Sequence, residues 1–121
     1  MADELNTDSI LESIRHQLNA DPYFDPDIIM HINTVFGILA QIGVGPEDGY
    51  AIVDENDTWT DYIGNNNKIL NMVKSYMFFR VKVMFDSASD NSYLIDTYNK
   101  KADELEWRLN IEVDPKKEET S

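Results

Sequence analysis

The sequence predicts an all-α fold, a small bundle of about four main helices plus one short helical turn, and three observations lead there. The stretch from Asp25 to Gly43 is a complete, capped helical segment that is apolar on nearly every side. Two later stretches, about Lys68 to Phe85 and a last segment reaching about Asn110, repeat their apolar residues at helical spacing. The one strand-like run, Tyr50-Ala51-Ile52-Val53, is too short to make a sheet alone.

In chain order, Thr7 or Asp8 can cap a first helix in which Ile10, Leu11, Ile14 and Leu18 share one face, with Ser9 and Glu12 at capping-box spacing as an alternative start. Asn19 to Phe24 is a turn that lands in the central helix and makes an antiparallel pair of the two. In the central helix Asp25 can accept a hydrogen bond from a first-turn amide, Pro26 fits the first helical position, and Gly43 suits a left-handed stop. Ile28, Ile29, Ile32, Val35, Phe36, Leu39 and Ile42 form its core stripe, while Met30, Gly37, Ile38 and Ala40 leave little polar relief elsewhere. A helix of that kind has to be covered all round.

Gly43 to Gly49 is a long loop by composition, and the strand-like Tyr50 to Val53 lies over the core or pairs with a neighbouring subunit. Asp57 or Thr58 can cap one turn in which Trp59, Tyr62 and Ile63 meet, ended by Gly64, an aromatic knot that lids the bundle. The helix from about Lys68 turns Ile69, Met72, Val73, Tyr76, Met77, Val83 and Met84 to one face. Two residues break that pattern: Arg80 falls in the middle of the apolar face, and Phe78 sits among Asn71, Lys74, Ser75 and Lys82. Arg80 therefore needs a carboxylate, either within the chain or from a second subunit. Ser89 or Asp90 can cap the last helix, whose core stripe is Leu94, Ile95, Tyr98, Ala102, Leu105 and Leu109. Tyr93, Trp107 and Ile111 lie nearly opposite, so this helix is apolar on two edges, and Phe78 and Trp107 together argue for a partner. Residues 1–113 read as a single helical domain and 114–121 as a flexible, disordered charged tail.

The net charge of −13 is unevenly placed, with no Lys or Arg from His16 to Asn67 and Asp or Glu at nine positions there. Such a surface repels phosphate backbones and excludes sequence-reading DNA binding. The chain has no cysteine, which rules out disulfides and thiol chemistry. The acidic, polar start and the interrupted central helix point to no exported or membrane-spanning form.

Catalytic patterns are missing: no G-x-S-x-G, no Walker loop and no H-E-x-x-H occur. His16 and His31 lie on different helices without metal-sharing spacing. Asp54, Asn56 and Thr58 begin like a calcium loop, but Trp59 stands where glycine makes the turn and Asn65 where a bidentate glutamate belongs. No enzyme, metal or cofactor is expected.

Phe24-Asp25-Pro26-Asp27-Ile28-Ile29-Met30-His31-Ile32-Asn33 through Leu39 to Pro46, Leu70 to Tyr76 through Val83 to Asp86, and Glu104 to Asn110 together resemble the small head-tail connector proteins of tailed bacteriophages, over roughly residues 8 to 115. The resemblance implies a non-enzymatic virion adaptor, assembled in the host cytoplasm. It would form a homo-oligomeric ring beneath the portal protein at the head-tail junction, prolong the DNA channel, and dock a tail-side head-completion or tail-terminator protein. On that reading Phe78, Arg80, Tyr93, Trp107 and Ile111 are candidate intersubunit contacts. If the loop from Gly45 to Asp61 faces the lumen, Glu47, Asp48, Asp54, Glu55 and Asp57 repel DNA, which passes with only non-specific contact and without a membrane. Two other classes fit the composition: an acidic DNA mimic that inhibits a DNA-binding protein, and a generic helical interaction module.

Overall fold

The structure is a computed structural model and describes residues 7–64, 66–86 and 92–113. Its elements are α1 (Ile10–Leu18), a 3₁₀ turn (Pro22–Phe24), α2 (Asp25–Gln41), α3 (Trp59–Ile63), α4 (Asn67–Phe85) and α5 (Ser92–Val113). The fold is all-α, and among the described residues the β-structure is one isolated antiparallel bridge, Ser9 to Thr58. The charged tail and the Ser89 or Asp90 cap fall outside the described residues.

Ser9 opens α1: its extended backbone lets Oγ accept from the Glu12 amide at 3.2 Å, so the start is the Ser9 and Glu12 one rather than Thr7 or Asp8. Asp8 works elsewhere. Its carbonyl takes the Trp59 amide at 2.9 Å and its carboxylate takes the Thr60 amide and hydroxyl, while the Ile10 amide reaches Asp57 O at 3.1 Å. These contacts stitch the start of α1 to the start of α3, which Thr58 caps through the Asp61 amide at 3.0 Å.

The central helix corrects one expectation at its start. Asp25 is the first helical residue and caps nothing; the 3₁₀ turn already supplies Pro22 O for the Asp25 amide. The Asp25 carboxylate instead receives Arg15 Nη1 at 3.1 and 3.2 Å, tying α2 to α1. The stop is as expected and can be specified. Gly43, at φ +94°, donates to Ala40 O at 3.1 Å and Val44 donates to Leu39 O at 2.8 Å, the paired bonds of a Schellman motif. Val44 then buries against the core. Gly45 follows at φ +90°, where a Cβ would meet the Tyr62 ring at 2.6 Å.

The strand-like segment lies over the core. Asn33 on α2 pairs with both backbone groups of Ile52, accepting from its amide at 2.8 Å and donating to its carbonyl at 3.1 Å, as a neighbouring strand would. Ile52 is buried and Val53 points to solvent. Phe36 meets Tyr50, Tyr62 and Trp59 at ring separations of 5.1, 4.7 and 6.4 Å, and Trp59 Nε1 donates to Ser13 Oγ at 3.1 Å. The aromatic knot is thus part of the core rather than a lid on it.

Directions follow from end contacts. Phe24 packs edge-on against Phe85 with ring centroids 5.6 Å apart, Lys68 pairs with Glu112 at 3.1 Å, and a Cβ on Gly43 would touch Val113 at 3.4 Å. Hence α4 runs antiparallel to both α2 and α5, and those two run the same way. Buried side chains of α4 are Ile69, Val73, Tyr76, Met77 and Val81, capped by Asn66 at 3.3 Å to the Ile69 amide. On α5 Ala102 and Leu109 are fully buried, but Leu94 is 42% exposed. The helix also continues past Asn110 to Val113. The expectation that α2 is covered all round fails: Met30 is 63% exposed and Gly37 has nothing within 4 Å of a built Cβ.

Candidate interaction surfaces

The α4 and α5 pairing places one predicted residue at its centre. Arg80 projects from α4 against α5, where Nη2 bonds Asp103 Oδ1 at 2.8 Å and Glu106 Oε1 at 3.0 Å, and Nη1 reaches Asn99 Oδ1 at 3.4 Å. Its Nε donates to the Tyr76 hydroxyl at 3.2 Å, and that hydroxyl donates onward to Glu106 Oε1 at 2.6 Å. Arg80 therefore finds its carboxylates within the chain, one turn from the buried Tyr76 ring over which its guanidinium sits at 5.2 Å.

The electrostatics of this cluster are those of a fixed structural site. Burial alone would lower the Arg80 pKa, and its bonds to Tyr76, Asp103 and Glu106 outweigh that and hold it above its ordinary value. Burial, then the bond to Glu106, push Tyr76 up to about 12. Burial likewise raises Tyr62, and burial followed by the Asp57 and Asp61 charges raises Tyr50. All four shifts keep a group in the state it already holds near neutrality, the opposite of what general acid or base work requires.

The other apolar candidates separate into two groups. Phe78 is half-buried and contacts Phe79 and Tyr98 at 5.4 and 6.3 Å, within the α4 and α5 seam. Tyr93 and Trp107 are 77% and 63% exposed on the outer face of α5. Trp107 forms a ridge between two clefts: one of about 270 Å³ lined with Lys68, Met72, Arg108 and the half-buried Ile111, the other of about 350 Å³ with Ile42, Asp103, Glu106 and Asn110.

The acidic candidates sit in two turns of one segment. Glu47 and Asp48 are exposed in a turn closed by the Gly49 amide on Pro46 O at 2.9 Å. In the second turn Asp57 Oδ2 accepts from the Val53 and Asp54 amides at 2.6 and 3.2 Å, and Asp54 Oδ1 accepts from the Asn56 amide at 2.8 Å, leaving Glu55 fully outward. Two of the five carboxylates therefore hold the loop's shape. Among the described residues no three His, Asp or Glu side chains are grouped to hold a metal ion, and no described helix is long and apolar enough to cross a membrane.

Sequence reasoning missed the Asn33 clamp, which carries no periodic signal, and the Gly37 surface, which looked like core. A family model described as phage connector protein matches residues 10–116. No curated protein and no solved structure matches the chain.

Proposed function

The chain belongs to the phage connector protein family, and from that premise we propose that it is a head-tail adaptor that forms a ring beneath the portal, prolongs the DNA channel and docks the next tail-side protein. The family is of a structural, non-enzymatic kind, belongs to the virion and works through contacts with other head and tail proteins. The observation that carries the finer reading is the outer face of α5: while its inner face buries Ala102 and Leu109 in the core, it keeps Tyr93 and Trp107 in solvent. The acidic turns serve as the channel lining in this reading, where carboxylates keep DNA sliding rather than bound. A DNA mimic would need carboxylates presented along a helix face, and Asp54 and Asp57 are spent on backbone amides instead.

Native mass spectrometry across a concentration series, with and without the portal protein, tests this directly. Closed rings are expected, because repeated head-to-tail contacts close only at a fixed rotation, and about a dozen subunits is the number the resemblance to portal-bound connectors implies. A monomer that stays monomeric and ignores the portal would overturn the adaptor reading.

A further inference from the structure

We propose that the outer face of α5 of one copy packs, in parallel, on the outer face of α2 of the next copy, so that these two different surfaces are the head-to-tail contact of the assembly; this rests on the ring reading above. Two seams carry the argument. On α5 Tyr93, Thr97, Lys100, Glu104, Trp107 and Ile111 follow one another at alternating spacings of four and three, opposite buried Ala102. On α2 Asp27, Met30, Thr34, Gly37 and Gln41 do the same, opposite buried Leu39. This is the spacing with which one helix packs along another. Each is the side of its helix turned away from the packed core, and within one copy the two approach only towards the end of α2, where Ile42 and Trp107 line one cleft.

Both seams are built to be covered. The hydroxyls of Thr34 and Thr97 are already satisfied, each donating back to the carbonyl four residues earlier, of Met30 and Tyr93, at 3.0 Å. Glu104 is already matched by Arg108 at 2.8 Å. Gly37 has no reason among the described residues: it weakens the middle of a long helix, its φ is not left-handed, and a Cβ would meet none of them. A closely approaching helix supplies the reason. With the seams parallel and fully overlapped, Asp27 falls beside Thr97, Met30 beside Lys100, Thr34 beside Glu104 and Gln41 beside Ile111. Trp107, the largest side chain of one seam, then lies over Gly37, the residue of the other that has none. Rotation about an axis along the helices preserves the parallel sense that α2 and α5 already have.

Charge selects a second copy as the occupant and the unlike surfaces as the pair. Residues 17–67 carry nine carboxylates and no Lys or Arg, while residues 68–113 carry seven of each sign. Two α2 faces brought together would set uncompensated acidic halves against each other. Asp27 and Lys100 make no ion pair within the described residues, and the proposed register brings them within a lysine's reach of one another across the contact.

The absence of cysteine makes the test clean. Thr34→Cys and Glu104→Cys, which the register sets side by side and which leave Trp107 and Gly37 in place, are purified separately, each checked for unchanged helical content, then treated with a short bismaleimide alone and mixed. The proposal expects covalent dimers in the mixture and in neither variant alone, and a ladder of higher species from the double variant. Dimers from Glu104→Cys alone would overturn it in favour of a two-fold α5 contact. No mixed dimer at concentrations where native mass spectrometry sees rings would overturn the surface assignment and leave the ring reading standing, whereas no oligomer under any condition would sink both. As a second readout, Lys100→Glu is expected to weaken assembly about tenfold and Lys100→Glu with Asp27→Lys to restore it; unchanged assembly in Lys100→Glu counts against the register.

Discussion

Arg80 shows how a single side chain can be misread by periodicity and still be well placed. By helical angle it interrupts an apolar stripe, and the need for a carboxylate is legible from that alone. Which carboxylate is not legible, because Asp103 and Glu106 come from a different helix whose register is set by packing. Arg80→Ala should cost about 1 to 2 kcal/mol, less than the roughly 3 to 5 of a fully buried pair, since Asp103 stays open to water. Urea unfolding checks it, and helical content should not change. The same cluster gives an alkaline limit. Tyr76 titrates near 10 when unfolded and near 12 when folded, so the folded state holds that proton more tightly. Its contribution is fully present below about pH 10 and is lost as pH rises towards 12. Tyr76→Phe should flatten the fall of the urea midpoint across that window, and an unaltered slope would place the alkaline loss elsewhere.

Among the elements, helix stops were more readable than helix starts. Gly43 announces a left-handed residue, and the structure adds its Schellman bonds. Starts were ambiguous wherever several capping residues sit together: Thr7, Asp8 and Ser9 compete for α1, and Asp25 looks like a cap only until the preceding 3₁₀ turn takes its amide. Burial was readable at Ile28, Ile32, Val35, Phe36 and Leu39 from the 3.6-residue period, and failed at Leu94 and Met30, which stay exposed. Two glycines, Gly37 within α2 and Gly43 just past its end, should therefore respond in opposite ways. Gly37→Ala should stabilise the monomer by about 0.5 to 1 kcal/mol, because the helix gains and nothing is touched. Gly43→Ala should destabilise it by about 1 to 2 kcal/mol, since a Cβ is forced into the left-handed region. Thermal unfolding of the two variants beside the parent decides it.

For the whole molecule, charge was the most legible property and its placement the least. The acidic half was visible in the sequence, yet only the structure divides its loop into carboxylates that hold turns and carboxylates that face water. That division sharpens what charge reversal should do. Glu47→Lys, Asp48→Lys and Glu55→Lys together should leave the fold intact and slow DNA ejection from assembled particles, because the side chains of these three make no bond among the described residues. Asp57→Lys should instead loosen the turn after Val53 and lower stability. Ejection at the parental rate in the triple variant would remove the loop from the channel.

The two tryptophans give the protein a built-in pair of optical reporters. Trp59 is sealed in the core, with its indole N–H bonded to Ser13 and Lys74 over its ring at 5.8 Å, while Trp107 stands in solvent. In the free subunit, emission from Trp107 should lie to the red and yield readily to acrylamide, and emission from Trp59 should do neither. Unfolding would then be followed through one indole and association through the other, with Trp59→Phe and Trp107→Phe separating the signals and no dye attached.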